Sequence, residues 1–376
     1  MSSSTSITLT YKTYEKVPIK LDVYPPTTLN ADTNSNGVPA VLWFHGGGFT
    51  FANRTDFFPK WLQKRINDAG GAFVSADYRL IPTGSITAHH ILEDVKDAFA
   101  FLRSKEFEDA LDVEGNLPFP RFRIDAGRIA AAGSSAGGTC AYFAAAHVEP
   151  KPVAILSLFA MGGDILNAQY LSPKTEPFLR GRPLLDPTRS KDYLYPFSPS
   201  VASDIVTDSP LAFHPPTDTL PALPANPRMA LALLYLQLGT YLDYYTGEHT
   251  PSLSATLRDV CPSPDAQTNP GMKKLILRKH IPPQHHAIFP QMNVSASWPP
   301  TFMLHGAEDT AVPVTESKNL YLMFKHWGVP ARLRIVDGED HFFDQGPDAE
   351  QKYGEIFDEA AGFLVRKLGL KTSVVG

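Results

Sequence analysis

Cysteine is nearly absent from this sequence of 376 residues, which contains only Cys140 and Cys261. Two thiols are too few for a disulfide framework, and their spacing does not fit a cysteine-based metal site. We therefore expect two ordinary thiols and a reducing compartment.

Apolar runs long enough to cross a membrane are absent too. No stretch of about 18 consecutive apolar residues occurs, which excludes an ordinary membrane-spanning helix. The first residues, MSSSTSITLT, lack the basic start and apolar run of a secretory signal. The net charge of −5 comes without long runs of one sign, so neither nucleic acid nor an anionic membrane surface is predicted as a partner. We therefore predict a cytoplasmic protein that acts on a small molecule.

Apolar residues, in contrast, make up 43% of the chain, enough for one large α/β domain with an insertion. Alternating apolar and polar residues predict an antiparallel strand pair over 6–14 and 17–24. Continuous apolar segments then alternate with helical ones, which predicts a mostly parallel, doubly wound sheet. The later strands are predicted at 39–45, 72–77, 128–133, 153–160, 301–305 and 332–336, and the helices at 57–69, 89–103, 136–147, 314–327 and 350–368.

The segment 165–297 interrupts this pattern and is rich in proline, serine, threonine and aspartate. We therefore predict an α/β core formed by 1–164 and 298–376, with 165–297 as an insertion. Within the insertion, the apolar stretch 228–245 predicts one long helix. A helix that is apolar almost all round fits either buried core or a lid over an apolar cleft, and periodicity does not separate the two.

A G-x-S-x-G motif lies between a predicted strand and a predicted helix. A serine hydroxyl becomes an effective nucleophile when a tight strand-to-helix turn exposes it, and Gly133 and Gly137 give the backbone room for that turn. Plain turns also contain Gly-Ser pairs, but the strand before and the helix after favour the functional interpretation. The register of the motif selects Ser135, rather than its neighbour Ser134, as the nucleophile.

Three consecutive glycines follow another predicted strand, in the sequence HGGGF that begins at His45. A phosphate-binding loop is the rival interpretation, but the Lys and Ser/Thr of a P-loop are missing. An oxyanion hole fits better, because the N–H groups of Gly47, Gly48 and Ala136 can surround the charge of a tetrahedral intermediate. We expect His45 to brace this loop rather than to act as a base.

An acid and a histidine follow the last two predicted strands. Asp309 stands in the loop after the strand 301–305, and His341 stands in the loop after 332–336. Because the carboxyl ends of parallel strands share one sheet edge, we expect both near Ser135. His341 is then the base that takes the serine proton, and Asp309 fixes the tautomer of its ring.

Other titratable residues are interpreted as structural or solvated. Glu308 and Asp340 adjoin the predicted acid and base, but Asp340 directly precedes His341, and neighbouring side chains of an extended segment diverge. No metal site is predicted, because no carboxylate or cysteine spacing completes one around the remaining histidines, namely His89, His90, His280, His285 and His286.

As a set, HGGGF, DYRL at 77–80, GSSAGG, HGAEDTAVPV and DGEDHFF resemble the hormone-sensitive-lipase-like branch of the α/β-hydrolases, the "fold-3" carboxylesterases and lipases. The resemblance implies the α/β-hydrolase fold, the same triad and oxyanion donors, and a helical cap. It also implies hydrolysis of esters of short to medium acids and no cofactor. The chain departs from the branch at Ser134, where many members have Asp, and in the sequence IPTGSITAHH at 81–90. The first 38 residues are occupied by the strand pair and a loop, which leaves little room for an N-terminal cap segment, so most of any cap falls in 165–297.

Hydrolysis is one of several reactions that this machinery supports. An acyl-enzyme formed from an ester, thioester or lactone can pass to a nucleophile other than water, so acyl transfer, lactone chemistry or cyclisation of a biosynthetic intermediate stays an alternative. A non-catalytic ligand receptor is another, although such proteins usually lose a triad residue. The pocket walls expected from loop or insertion position are Phe49, Phe51, Leu234, Tyr241, Tyr244, Phe342 and Phe343.

Overall fold

An eight-stranded sheet lies at the centre of the protein. The structure is a computed structural model that describes residues 6–28, 37–113, 120–216, 224–261 and 270–371. The strands are β1 Ile7–Tyr14, β2 Val17–Tyr24, β3 Val38–Phe44, β4 Ala72–Ala76, β5 Ile124–Ser134, β6 Ile155–Leu158, β7 Thr301–Gly306 and β8 Ala331–Val336. Their order across the sheet is β1-β2-β4-β3-β5-β6-β7-β8.

The direction of the strands changes near one edge of the sheet. Strand β1 pairs antiparallel with β2, and β2 pairs antiparallel with β4, whereas every pair from β4-β3 to β7-β8 is parallel. Every residue of β3 is buried, as expected for a strand covered on both faces, whereas β1 alternates between buried and exposed residues over its first half. The predicted fold class, an antiparallel first pair followed by a parallel sheet, is confirmed.

Helices cover both faces of this sheet. They are α1 Lys60–Asp68, α2 Ala88–Leu102, α3 Lys105–Val113, α4 Ala136–His147, α5 Ala168–Leu171, α6 Leu231–Leu238, α7 Tyr241–Thr246, α8 Leu253–Val260, α9 Pro270–His280, α10 Pro290–Asn293, α11 Thr315–His326 and α12 Ala349–Lys367. Helices α1 and α12 pack in one apolar cluster with Trp43, and α2, α4 and α11 pack in a second cluster with its neighbour Phe44. Alternate residues of β3 therefore face two separate cores, as in a doubly wound sheet. Within the described ranges, no helix is long and apolar enough to cross a bilayer.

The segment between β6 and β7 packs against the loops that follow β3 and β4. Its Arg228 is 1% exposed and donates to the carbonyl oxygens of Thr50 at 2.8 Å and Ile81 at 3.1 Å. The same guanidinium pairs with Asp204 at 2.6 Å. Burial of a guanidinium is costly without such partners, and the bonds to Thr50 and Ile81 join the insertion to the sheet domain.

The long helix predicted over 228–245 is wrong. A short 3-10 turn and α6 end at Gly239, whose φ of +64° is left-handed, and α7 starts two residues later. A Cβ atom at Gly239 would lie 2.8 Å from the backbone nitrogen of Pro173, so the chain approaches too closely there for any other residue. The strong apolar character of the stretch is explained by burial, since both helices bury most of their residues.

One helix start and one short helix of the core also differ from the sequence prediction. The helix predicted from residue 57 begins only at Lys60, directly after Pro59, and Phe57 has a left-handed φ of +50°. Helix α3 was not predicted, although Phe107 and Leu111 are buried on one of its faces. Both segments are too short for a sustained apolar period to show where the helix lies.

Candidate active site

Ser135 occupies a tight turn between β5 and α4. Its φ of +53° and ψ of −123° are strained for a serine. A Cβ atom at Gly133 would lie 2.1 Å from the carbonyl oxygen of Gly137, and one at Gly137 would lie 2.1 Å from that of Phe44. Only glycine fits at both positions, so the motif is required by the turn and by its close approach to the end of β3. Ser134 and Ser135 are both buried, and the hydroxyl of Ser134 has no hydrogen-bond partner among the described residues.

His341 and Asp309 are joined by a short hydrogen bond. Nδ1 of His341 donates to Oδ2 of Asp309 at 2.6 Å, while Oδ1 of Asp309 accepts from the backbone N–H groups of Ala311 and Val312 at 2.9 and 2.8 Å. Burial by itself raises the pKa of Asp309, but hydrogen bonds from His305 and His341 outweigh it and hold the pKa well below its usual range. The carboxylate is therefore ionised at neutral pH and orients the imidazole.

His305 is a contact of the acid that the sequence analysis missed. It is fully buried at the end of β7, and its Nε2 lies 3.3 Å from Oδ2 of Asp309 and 2.9 Å from the carbonyl oxygen of Val312. Its Nδ1 lies 2.8 Å from the hydroxyl of Ser317. The signal in the sequence was a histidine four residues before the acid, at the end of a buried strand.

Asp340 has other partners than the imidazole. Its Oδ1 accepts from the backbone N–H groups of Thr310 at 2.8 Å and His341 at 2.7 Å, and its Oδ2 pairs with Arg180 at 2.6 Å. These bonds hold the loops of the acid and the base together and connect them to the insertion. Of Asp309 and Asp340, only Asp309 accepts a hydrogen bond from the ring of His341 in the described structure.

Ser135 and Phe342, the residue after His341, both lie beside Gly46. A Cβ atom there would be 3.3 Å from Cβ of Ser135 and 3.4 Å from the ring of Phe342, which follows His341. The two turns also contact through Phe159, whose ring meets that of His341 edge-on at 4.7 Å between centroids. The structure thus brings the predicted nucleophile, base and acid to one sheet edge.

The glycine loop after β3 has a backbone that only glycine tolerates. Gly47 and Gly48 have φ of +110° and +60°, and a Cβ atom on Gly47 would lie 2.3 Å from the carbonyl oxygen of Phe51. The N–H groups of Thr50 and Phe51 donate to the carbonyl oxygen of Gly47 and close the turn. In the described part of the chain, the N–H groups of Gly47 and Gly48 have no backbone or side-chain acceptor, so they are available for a ligand.

His45 supports this loop from behind. Its Nδ1 donates to the carbonyl oxygen of Gly46 at 2.7 Å, and its ring stacks on Tyr78 at 4.3 Å between centroids. The hydroxyl of Tyr78 donates to the carbonyl oxygen of His45 at 2.8 Å. Burial lowers the pKa of His45 to about 4, so its ring is neutral at physiological pH.

A small cavity lies beside the first turn of α4, and its wall is mainly aromatic. Of the predicted pocket residues, Phe49 and Tyr241 line it, together with Thr139, Tyr170 and Tyr245. The hydroxyl of Tyr241 also donates to the carbonyl oxygen of Gly48 at 3.1 Å. The cavity therefore borders the glycine loop and the nucleophile helix.

The other predicted pocket residues lie elsewhere. Leu234 is fully buried in the core, and Tyr244 stacks on Tyr235 at 3.6 Å between ring centroids. Phe343 packs edge-on against Tyr353 at 5.1 Å, in the apolar cluster that contains α12. The two remaining side chains, Phe51 and Phe342, are partly exposed beside the glycine loop.

Four of the other histidines, namely His89, His90, His285 and His286, make hydrogen bonds. Nε2 of His89 lies 2.8 Å from Nδ1 of His285, whose Nε2 lies 2.9 Å from Glu248. His90 bonds back to the first residue before α2 in a capping box with Thr87. In the residues that the structure describes, no group of three or more His, Cys, Asp or Glu side chains is arranged to hold a metal ion.

Two family models match this chain. A model of the α/β-hydrolase fold matches residues 41–216, which include the glycine loop and the Ser135 turn. A model of the prolyl oligopeptidase family matches residues 280–371, which include Asp309 and His341.

Curated relatives are fungal enzymes of much greater length. The chain is 27% identical over 357 residues to the non-reducing polyketide synthase mapC' of Penicillium brevicompactum. The aligned region covers 89% of this chain and 14% of that protein. The chain is 27% identical over 365 residues to the non-reducing polyketide synthase ausA of Aspergillus calidoustus, covering 91% of this chain and 13% of that one. The chain thus spans about a seventh of the length of these relatives.

Among solved structures, the chain is similar to esterase Est2 from the Planctomycetes species Thermogutta terrifontis. The native form matches with a TM-score of 0.55 and 18% identity, over 98% of this chain and 95% of that one. The butyrate-bound form matches with a TM-score of 0.55 and 16% identity, over 99% and 96%. The similarity extends over the whole fold, and the resemblance to the hormone-sensitive-lipase-like branch is confirmed. The chain has the α/β-hydrolase fold, and the two family matches indicate an enzyme of the serine-hydrolase type.

Proposed function

We propose that Ser135, His341 and Asp309 form a catalytic triad that cleaves carboxylic esters of short to medium acyl chains through an acyl-enzyme. The observation that carries this proposal is the 2.6 Å hydrogen bond from His341 to Asp309, placed beside a serine on a strained turn. A base oriented by a buried carboxylate and a nucleophile held on such a turn are the parts that acyl transfer needs.

In the first half-reaction, Nε2 of His341 takes the hydroxyl proton of Ser135 as Oγ bonds to the carbonyl carbon. The carbonyl π electrons move to the oxygen, which becomes an oxyanion stabilised by the N–H groups of Gly47, Gly48 and Ala136. The oxyanion collapses and breaks the ester C–O bond, and the leaving oxygen takes the proton from Nε2. Asp309 stays ionised throughout and stabilises the imidazolium.

In the second half-reaction, a water molecule takes the place of the leaving alcohol. Nε2 of His341 takes one water proton while the water oxygen bonds to the acyl carbon. The bond between that carbon and Oγ of Ser135 then breaks, and the serine recovers its proton from His341. The products are an acid and an alcohol, and the enzyme returns to its initial state.

The cavity beside α4 and the insertion limit the size of the acyl group that the substrate can carry. Phe49 and Tyr241 form rigid parts of its wall, and Tyr241 is held by its bond to Gly48. We propose that the cavity takes the acyl group, that 165–297 forms a cap over the core of 1–164 and 298–376, and that this cap limits the length of the chain. A short acyl group matches a small space with a largely apolar wall.

A second candidate is transfer of the acyl group to an acceptor other than water. It is favoured by the relatives, because about nine tenths of this chain matches a segment of non-reducing polyketide synthases. The triad would then release or cyclise an acyl group delivered as a thioester. The two candidates share the acyl-enzyme and differ only in the nucleophile that breaks it down.

The test is hydrolysis of p-nitrophenyl esters from acetate to dodecanoate by the wild type, Ser135→Ala and the matched control Ser134→Ala. We expect turnover that is greatest at short chains, is abolished in Ser135→Ala and is retained in Ser134→Ala. Labelling of Ser135 by a fluorophosphonate without ester turnover supports the second candidate, which is then tested with an acyl-pantetheine thioester. A wild type that neither turns over esters nor reacts with the fluorophosphonate contradicts both.

A further inference from the structure

Four phenylalanines near the proposed triad have a left-handed backbone, with φ of +66° at Phe49, +50° at Phe57, +38° at Phe159 and +60° at Phe342. Bulky residues rarely adopt this conformation, because the side chain crowds the backbone, and glycine would adopt it at no cost. Phe49 and Phe159 are buried, whereas Phe57 and Phe342 are partly exposed. Strained phenylalanines whose rings reach the surface indicate that those rings have a role there beyond packing.

The rings of Phe57 and Phe342 form a single surface. They stack with 4.3 Å between centroids and 10° between planes, and the ring of Phe51 meets that of Phe57 edge-on at 6.2 Å. All three side chains are partly exposed, whereas the neighbouring Phe49 is fully buried. We call Phe51, Phe57 and Phe342 the aromatic wall.

The wall borders the reaction centre on a different surface from the cavity. The ring of Phe342 lies 3.4 Å from the Cβ position of Gly46, which is itself 3.3 Å from Cβ of Ser135. None of the three phenylalanines lines the cavity beside α4. An ester carbonyl bound at Ser135 carries two substituents, and the protein thus offers a separate apolar surface for each.

We propose that the aromatic wall binds the leaving group of the substrate and selects a flat, aromatic one. This inference rests on the proposed function, in which the cavity takes the acyl group. Aromatic rings pack edge-to-face or offset against one another with an attraction that a saturated ring of similar size does not provide. Because that contact also holds the leaving oxygen near Nε2 of His341, it favours the transition state of acylation.

The test compares benzyl acetate with cyclohexylmethyl acetate. Both are acetates of primary alcohols of similar size, so acyl fit cancels in the ratio of their kcat/KM values. Benzyl alcohol is the more acidic leaving group, so this ratio is divided by the ratio of the two alkaline hydrolysis rates, which removes the difference in intrinsic reactivity. An edge-to-face contact predicts a ratio of roughly two- to tenfold in favour of the benzyl ester for the wild type. Loss of stability alone lowers both values and leaves the ratio unchanged.

The variants are Phe342→Leu and Phe57→Leu, with Phe58→Leu as the matched control. Phe58 adjoins the wall in sequence, but its ring packs against Tyr24 and Phe73 in the core. We expect the ratio to fall toward one in the two wall variants and to persist in the control. Phe342→Gly is a fourth variant, because glycine suits the left-handed backbone and keeps the protein folded if leucine does not.

The second measurement does not depend on turnover. Benzyl alcohol should slow the reaction of Ser135 with a fluorophosphonate more than cyclohexylmethanol does, and this difference should disappear in Phe342→Gly. Equal kcat/KM values in the wild type, equal protection by the two alcohols, or a ratio that the wall variants leave unchanged would overturn the inference while the triad stands. A Ser135 that does not react with the fluorophosphonate overturns the proposed function as well.

Discussion

Replacing Asp309 by asparagine should reverse the tautomer of His341. Oδ1 of the acid accepts two backbone N–H groups, so the amide oxygen of an asparagine has to take that position. Its NH2 group then occupies the place of Oδ2 and faces Nδ1 of His341. In the wild type, this nitrogen lies 2.6 Å from Oδ2. Because NH2 can only donate, Nδ1 must become an acceptor, and the ring proton moves to Nε2.

A proton on Nε2 prevents His341 from accepting the proton of Ser135. We therefore expect Asp309→Asn to lower kcat by about 10⁴-fold, which corresponds to about 5 kcal/mol of transition-state stabilisation. The matched control is Asp340→Asn, which keeps an oxygen for Thr310 and loses only the partly exposed ion pair with Arg180. Such a pair is worth about 0–1 kcal/mol, so activity should fall less than about fivefold.

The assay is single-turnover acylation by p-nitrophenyl acetate, with thermal unfolding to show that each variant is folded. Loss of acylation in Asp340→Asn together with normal acylation in Asp309→Asn would refute the assignment of the acid. Equal acylation in all three proteins would refute the tautomer argument itself.

Three further perturbations test the surroundings of the site. Gly48→Ala should abolish esterase activity, because its Cβ would lie 2.4 Å from that of Ala232 at a left-handed φ, and normal kcat would contradict this. Arg228→Ala should lower the free energy of unfolding in urea by about 3–5 kcal/mol, since it leaves buried acceptors unpaired; a loss below 1 kcal/mol would contradict this. Burial raises the pKa of Glu316 from 4.5 to about 8, so the folded protein loses stability as the pH rises between those values. Glutamine cannot ionise, so the Tm of Glu316→Gln should fall less than that of the wild type from acid to alkaline pH.

The parts of the site that were predictable from sequence are those determined by local backbone geometry. Gly133 is required by a steric contact within its own turn, and the glycines after β3 by the turn that closes at Gly47. Gly137 was predictable from the motif, although its steric contact is with Phe44 at the end of β3. The strands were predictable because burial on both faces leaves a continuous apolar run, as in β3. Chain order then placed Asp309 and His341 at the correct edge.

The parts that escaped prediction depend on contacts between distant segments. The break at Gly239 exists because residues 171–173 pass close to it, which no helical period reveals. Tyr244 was predicted in the pocket, but its ring stacks on Tyr235 instead. Phe57 was predicted at the start of a helix, and the following Pro59, next to the observed start at Lys60, was the overlooked signal.

The buried Arg228 also has a consequence for how substrate enters. Its bonds to the loops after β3 and β4 belong to a wider set, because the backbone N–H groups of Ala52 and Leu80 also donate to carbonyl oxygens of the insertion, those of Ser209 at 2.6 Å and Val206 at 2.8 Å. An outward swing of the whole insertion would break all of these bonds together. Loss of the Arg228 bonds alone costs about 3–5 kcal/mol, so fewer than roughly one molecule in 10² would be open in this way at any moment. Exchange of substrate and product then depends on bending of those parts of the insertion that leave these bonds intact.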